Sequence, residues 1–417
     1  MNTQFIQLYI DPGTGAMLFS VLIGVVTALF YFLQKMFMKL RFVVSGGKVK
    51  DISGECLEYV IFSDSKRYWN VFKPICDEFE KRKIKCEYWT ASPDDPALSN
   101  EYEYVNTAFI GEGNKAFARL NMMKADICLA TTPGLDVYQW KRSKNVKYYV
   151  HTLHEVGGVT EYRMFGLDYY DAVLLSGEFQ EKYLRIIEGL RNLPEKETFV
   201  VGSTYMDSMK EKLDGIEAPE KNDDITVLVA PSWGESSILS RYGKTFIKAL
   251  IETGYNIIIR PHPQTAISEA EMLDNLKREF PENNRFSWNF DNDNFSVLNR
   301  ADILISDFSG VIFDFTLLFD KPMIYADTNL DLSPYDAAWI DEPVWRQQVL
   351  PQLGRKLEEK EFENLKQIIY DMIHEEYYHE KREEIKKIAW QHEGQAAVRT
   401  VDYLVKKHES LVQKEEV

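Results

Sequence analysis

The chain has 417 residues, 49 of them basic and 65 acidic, for a formal net charge of −16. That excess of acid excludes a general nucleic-acid binder, and 45% hydrophobic with 13% aromatic residues excludes a disordered chain. The length predicts two domains with ample core, and an anionic substrate would need a locally positive pocket. The four cysteines, Cys56, Cys76, Cys86 and Cys128, have no metal-type spacing and read as reduced thiols.

Pro12 to Gln34 contains no charged residue, and its core reads AMLFSVLIGVVTALFYFL. Roughly twenty apolar residues suffice to span a bilayer. Lys35, Lys39, Arg41, Lys48 and Lys50 follow the run and no basic residue precedes it. The positive-inside rule then predicts a single-pass anchor in the cell membrane with the large C-terminal part in the cytoplasm. A cleaved signal peptide fits poorly, because its basic residues should come first.

The first soluble domain begins near Leu57. Strands are predicted over 57–62, 84–89, 127–130, 146–150, 172–175 and 199–201. Between the first two, Trp69, Phe72, Ile75, Cys76 and Phe79 recur at helical spacing. Alternating strands and helices predict a parallel sheet. Residues 215–224 are polar and charged and predict a linker. A second alternating series follows, with strands over 226–230, 256–259, 303–305 and 323–325. From Glu358 to Lys407 the chain is helical and heavily charged, and Val398, Val401, Leu404 and Val405 stripe the last helix. The fold class is therefore α/β, with two Rossmann-like domains behind one N-terminal transmembrane helix. The expected division is 1–40 for the anchor, 41–214 and 215–385 for the two domains, and 386–417 for a helix packing back on the first.

The stretch ADILISDFSGVIFDFTLLFDKPMIYAD, Ala301 to Asp327, organises the second domain. A buried strand leads into the turn Ser306-Asp307-Phe308-Ser309-Gly310, then an apolar helix over 311–319. Open parallel sheets bind ligands at such carboxyl ends. Ser306 and Ser309 offer hydroxyl donors, Gly310 admits close approach, and the helix start offers unpaired N–H groups: the parts of a phosphate cradle. Asp307 or Ser309 acting only as an N-cap is the plainer alternative. A Walker loop is excluded, since Gly-Lys-Ser/Thr is missing.

Of seven histidines, His151, His154 and His262 directly follow predicted strands, the first two on one side of a cleft between the domains and His262 on the other. His374, His379, His392 and His408 fall in the polar tail and read as surface residues. Arg260-Pro261-His262-Pro263 is a stiff turn whose Arg and His suit phosphate oxygens; the competing reading is an Arg–carboxylate contact that pins the loop.

With these residues in hand, the chain resembles the CDP-glycerol glycerophosphotransferase family of teichoic-acid-type polymerases and primases. Ala230-Pro231-Ser232-Trp233, Arg260-Pro261-His262-Pro263, Ser306 to Asp314, Lys321-Pro322 with Tyr325 and Asp327, and Gly202 to Asp207 carry the resemblance, in matching order and spacing. It implies a GT-B-like pair of domains, a CDP-glycerol or related CDP-polyol donor, and transfer of a polyol phosphate to a glycan or lipid-linked hydroxyl, with CMP leaving. It implies catalytic roles for His151 as base and His262 at the diphosphate. His154, Ser232, Arg260, Ser306, Asp307, Ser309 and Gly310 would bind substrate, with Asp307 at ribose or orienting the loop. No cofactor and no metal are expected. The family's Trp-His-Gly-Thr-Pro is replaced by Val150-His151-Thr152-Leu153-His154-Glu155, so His151 is the preferred base and His154 stays open. Two other readings stand beside this one: a GT-B glycosyltransferase or epimerase-like enzyme using a UDP-sugar, and a non-catalytic membrane-anchored scaffold in envelope assembly.

Overall fold

The computed structural model describes residues 56–216, 224–291, 293–326, 328 and 330–415. The apolar run Pro12–Gln34 and most of the 215–224 linker lie outside them. No helix among the described residues is long and apolar enough to cross a membrane.

The described residues form two parallel sheets. The first has seven strands: β1 (Leu57–Ser63), β2 (Cys86–Thr90), β3 (Val105–Phe109), β4 (Ala125–Ala130), β5 (Val146–Thr152), β6 (Ala172–Leu175) and β7 (Glu197–Val200), in the order β3-β2-β1-β4-β5-β6-β7. The second has six: β8 (Thr226–Val229), β9 (Asn256–Ile259), β10 (Phe286–Trp288), β11 (Ile303–Ser306), β12 (Met323–Ala326) and β13 (Gly354–Leu357), in the order β10-β9-β8-β11-β12-β13. These are the two Rossmann-like lobes the alternation predicts. The strand order reverses at β1/β4 and again at β8/β11, and each reversal opens a crevice at the carboxyl ends. β11, the strand of the organising stretch, stands at the second reversal.

Central strands are buried on both faces, which explains their unbroken apolar runs. Every residue of β4 and β11 is buried. Helix Trp69–Arg82 lays Trp69, Phe72, Ile75, Cys76 and Phe79 on the first sheet. Val227, Val229, Ile257, Ile259, Ile303 and Ile305 anchor the second core. Burial of each such side chain contributes about 1.5–3 kcal/mol.

The last helix, Ala396–Glu415, returns to the first lobe. Val401 and Leu404 enter that lobe's core, and Arg82 Nη1 meets Asp402 Oδ1 at 2.7 Å. Asp207 seats the helix start: its carboxylate accepts from Trp390 Nε1 and from the Gly394 and Ala396 amides, each at 2.9 Å. Gly202 has φ 97°, and a Cβ there would collide with the Gln391 carbonyl. The Gly202–Asp207 motif is thus a docking point for the tail. His408, expected at the surface, is instead half-buried, with Nε2 2.9 Å from Asp126 Oδ2.

The lobes are also joined through their loops. Arg163 and Tyr335 form an antiparallel bridge. Met164 N donates to Pro334 O at 3.1 Å, and Asp336 N to Tyr162 O at 3.0 Å. Beneath them the buried Arg191 bonds Asp168 at 2.7 Å and Asp336 at 2.5 Å.

Candidate functional site

Three loops meet at the carboxyl ends of β8, β9 and β11. Asp307 holds them in place from a buried position. Its carboxylate accepts the Ser232 N–H at 2.8 Å, the Ile238 N–H at 3.0 Å and its neighbour Phe308 N–H at 2.7 Å. Burial pushes this carboxyl up and the three N–H donors pull it back, burial being the larger effect. Ser306 Oγ donates to Ala230 O at 2.7 Å and is fully buried. Both side chains therefore shape the cradle without lining it. The Ser306 hydroxyl, expected at phosphate, is spent on the backbone.

The helix after the turn is shorter than expected. It is α-helical only over Val311–Phe313 and passes into a π-turn over Asp314–Leu318. Its dipole is correspondingly small, so an anion here would rely on side chains and on close backbone approach. Asp314 is buried, accepts from Tyr205 Oη of the first lobe at 3.1 Å, and is pushed up to about 7 by burial.

His262 lies on the cavity wall with its ring 6.5 Å from that of Trp233. Its Nδ1 accepts the Gln264 N–H at 3.1 Å, which leaves the proton of the neutral ring on Nε2. Burial, then repulsion from Arg67 and Arg260, lowers its pKa to about 4, so the ring is neutral at pH 7. Arg260 goes elsewhere: it bonds Asn289 Oδ1 and, at 2.8 Å, Asp291 O. It pins the loop after β10 through an amide oxygen and a backbone carbonyl, where the plainer sequence reading named a carboxylate, and is absent from the cavity wall.

The cavity between the lobes has a volume of about 460 Å³. Ser232, Trp233, His262, Ser309 and Gly310 line it from the second lobe, and Glu155 and Glu161 from the first. Arg346, in the first turn of helix Trp345–Leu353, spans the two. Nη1 donates to the Phe308 carbonyl, and Nη2 lies 2.5 Å from Glu161 Oε2 and 3.5 Å from Glu155 Oε1. Glu161 is pushed up to about 7 by burial, against the pull of Arg346. The wall carries four carboxylates, Glu155, Glu161, Glu235 and Asp331, against one guanidinium. The locally positive pocket expected from the sequence is therefore not met. Among the described residues no cluster of His, Cys, Asp and Glu is arranged to hold a metal ion.

The first-lobe histidines part company. His151 is 0% exposed. Its Nε2 is 3.2 Å from Tyr162 Oη, its Nδ1 has no partner, and Tyr162 and Tyr170 pack edge-on against it. Burial holds its pKa well below the usual histidine value. A ring so enclosed presents neither nitrogen to the cavity, which counts against the expected role of His151 as base. It sits within β5 and faces inward, where the sequence placed it at the strand's open end. His154 lies beyond the strand and is half-buried. Its Nδ1 is 3.0 Å from Thr131 Oγ1 and its ring 4.8 Å from Tyr68.

Of the residues singled out in the sequence, Ser232, His262, Ser309 and Gly310 come together at the cavity. His154 stands beside it through its neighbour Glu155. Glu155, Glu161, Tyr335 and Arg346 were missed. A signal existed for Arg346: an arginine in the apolar Val344-Trp345-Arg346, just after the acidic segment Asp331 to Glu342.

Comparison with known proteins gives this architecture a context. Wall teichoic acid polymerase TagF, in a structure soaked with CDPG, superposes with a TM-score of 0.54 at 14% identity, covering 92% of this chain and 99% of that one. The MnaA–UDP structure from S. aureus gives 0.55 at 12% identity, covering 84% and 96%. UDP-GlcNAc 2-epimerase from Methanocaldococcus jannaschii gives 0.52 at 14%, covering 84% and 100%. These likenesses establish the GT-B-like fold. No curated protein sequence matches the chain. The family of CDP-Glycerol:Poly(glycerophosphate) glycerophosphotransferases matches residues 170–406, more than half of the sequence and all of the second lobe's cavity wall. The chain belongs to that family and is a transferase of the CDP-glycerol glycerophosphotransferase type.

Proposed function

We propose that the cavity binds CDP-glycerol, or a related CDP-polyol, and passes its polyol phosphate to a hydroxyl of an envelope glycan or lipid-linked acceptor. The observation that carries this reading is the meeting of His262, Ser232, Ser309, Gly310 and Arg346 at one cavity, on the carboxyl ends of β8, β9 and β11. The family supplies the donor class.

In the proposed step, the acceptor oxygen bonds to the β-phosphorus, the bridging P–O bond breaks, and CMP leaves with the electron pair. Charge grows on the phosphoryl oxygens. The Nε2–H of neutral His262, Ser309 Oγ and the Arg346 guanidinium are the donors at hand to offset it. The acceptor proton goes to a base, a role now given to His154. Burial lowers the His154 pKa, with Glu155 and Asp64 pulling the other way. It is therefore neutral at pH 7. In the tautomer whose Nδ1–H donates to Thr131 Oγ1, Nε2 keeps the lone pair a base needs. Membrane attachment through the apolar run Pro12–Gln34 would suit a lipid-linked acceptor.

The test is transfer from CDP-glycerol, CDP-ribitol and UDP-sugars, each supplied with membrane extract as acceptor. Release of CMP that depends on acceptor supports the reading. Turnover of a UDP-sugar alone, or of no nucleotide, would sink it in favour of an epimerase-like enzyme or a scaffold.

A further inference from the structure

Glu155 of the first lobe reaches across the cleft into the turn of the second. A Cβ built on Gly310 would collide with Glu155 Oε2, so the carboxylate lies directly on the Gly310 backbone. Gly310 has ordinary helical angles, φ −60° and ψ −25°. Its lack of a side chain therefore serves approach and not backbone strain. The other oxygen, Oε1, is 3.5 Å from Arg346 Nη2. A carboxylate thus stands where the donor's phosphoryl oxygens are placed under the proposed function, touching the same backbone and the same cation. We infer that Glu155 is a displaceable internal occupant of the diphosphate seat, and that the anionic part of the donor binds by exchanging with it on Gly310 and Arg346.

Two facts make Glu155 the carboxylate that moves. The side chain of Glu161 is only 9% exposed and paired to Arg346 at 2.5 Å, whereas that of Glu155 is 35% exposed, with a longer contact and open solvent beside it. The chain that follows Glu155, Val156-Gly157-Gly158, offers two glycines for rearrangement. The seat is also left incompletely satisfied. Arg346 Nε and Glu161 Oε1 are buried without a hydrogen-bond partner. A diphosphate beside two carboxylates that share one guanidinium meets repulsion, which the departure of Glu155 relieves. Exchange would retain a counter-charge for the buried Arg346 in both states, which a vacated seat would not.

The inference rests on the donor reading above, and the experiment separates the two. Wild type, Glu155→Gln and Glu155→Ala are titrated calorimetrically with inorganic pyrophosphate and, separately, with CDP-glycerol, after melting curves establish that each is folded. Glu235→Gln, removing an exposed carboxylate of the same wall, is the control for general charge. Both Glu155 variants are expected to bind pyrophosphate at least tenfold more tightly than wild type, and Glu235→Gln within threefold of it. Unchanged or weaker pyrophosphate binding by the Glu155 variants would overturn the inference. So would an equal gain in Glu235→Gln, or no pyrophosphate binding by any of the four proteins. Tighter pyrophosphate binding with no affinity for CDP-glycerol would support the exchange while removing the donor reading.

Discussion

The Asp307 carboxylate accepts the Ser232 backbone N–H at 2.8 Å and thereby ties the loop after β11 to the loop after β8. With the Ile238 and Phe308 amides it satisfies three N–H groups from a side chain that is 2% exposed. Asp307→Ala would strand these donors in the interior, at about 1–3 kcal/mol for each that water cannot reach. The expected outcome is a loss of roughly 3 kcal/mol or more in urea unfolding, with donor binding lost as well. Asp307→Asn should be intermediate, since its amide nitrogen cannot accept. A midpoint unchanged from wild type in either variant would show that the loops hold without the carboxylate.

Arg191 places one buried guanidinium between Asp168 of the first lobe and Asp336 of the second. Removing one partner of such a group leaves uncompensated charge, at about 3–5 kcal/mol. Arg191→Met is expected to lower the unfolding free energy by about that amount. Because Asp336 also accepts the Phe165 N–H at 2.8 Å, the variant should loosen the junction of loops 162–168 and 332–336. Hydrogen exchange localised to those segments is the measurement; exchange unchanged there would contradict the role.

Tyr205 donates to Asp314 Oδ2 at 3.1 Å, and burial lifts the Asp314 carboxyl to about 7. A folded-state pKa above the unfolded value near 4 means that folding favours the protonated acid. Its stabilising contribution is present below about pH 4 and is lost as pH rises toward 7. Asp314→Asn keeps a neutral group at every pH. The variant should therefore gain on wild type as pH rises from 5 to 8, by roughly 2–3 kcal/mol. Melting curves at the two pH values check this; a difference independent of pH would show that Asp314 does not titrate in that range.

The central architecture was legible because burial on both faces leaves a strong mark. β4, β8, β9, β11 and β12 are mostly apolar, and their ends could be read to within one or two residues. The three strands not foreseen, β3, β10 and β13, are all sheet edges. Their sequences VNTAF, FSW and GRKL carry fewer apolar residues because an edge strand meets less core. At the site, a motif told which loops converge but not which atoms face inward. Ser306 and Asp307 lie in the turn that carries the resemblance yet spend their side chains on neighbouring backbone. Arg260 does the same one loop away. Arg346 stood out only as an arginine in an apolar stretch, with nothing to show its role: its partners Glu161 and Phe308 are far from it in sequence, and only the packing of the lobes brings them together.

The two first-lobe histidines, three residues apart, give the sharpest functional contrast. His154 is half-buried, held at Nδ1 by Thr131 and flanked by the cavity residue Glu155; His151 is sealed against Tyr162 and Tyr170. If His154 takes the acceptor proton, His154→Ala should lower kcat at least 100-fold, the usual worth of a general base. Donor affinity should stay within about threefold, because the diphosphate contacts come from the other lobe. His151→Phe should act through packing instead. The ring's unpartnered Nδ1 disappears, the Nε2–Tyr162 bond is lost, and the melting temperature shifts while kcat per folded molecule stays near wild type. The pH profile discriminates further: loss of His154 should abolish the acidic limb of kcat, and loss of His151 should leave it in place. Full turnover in His154→Ala together with none in well-folded His151→Phe would return the base to the buried ring and require the cleft to open far more than this arrangement does.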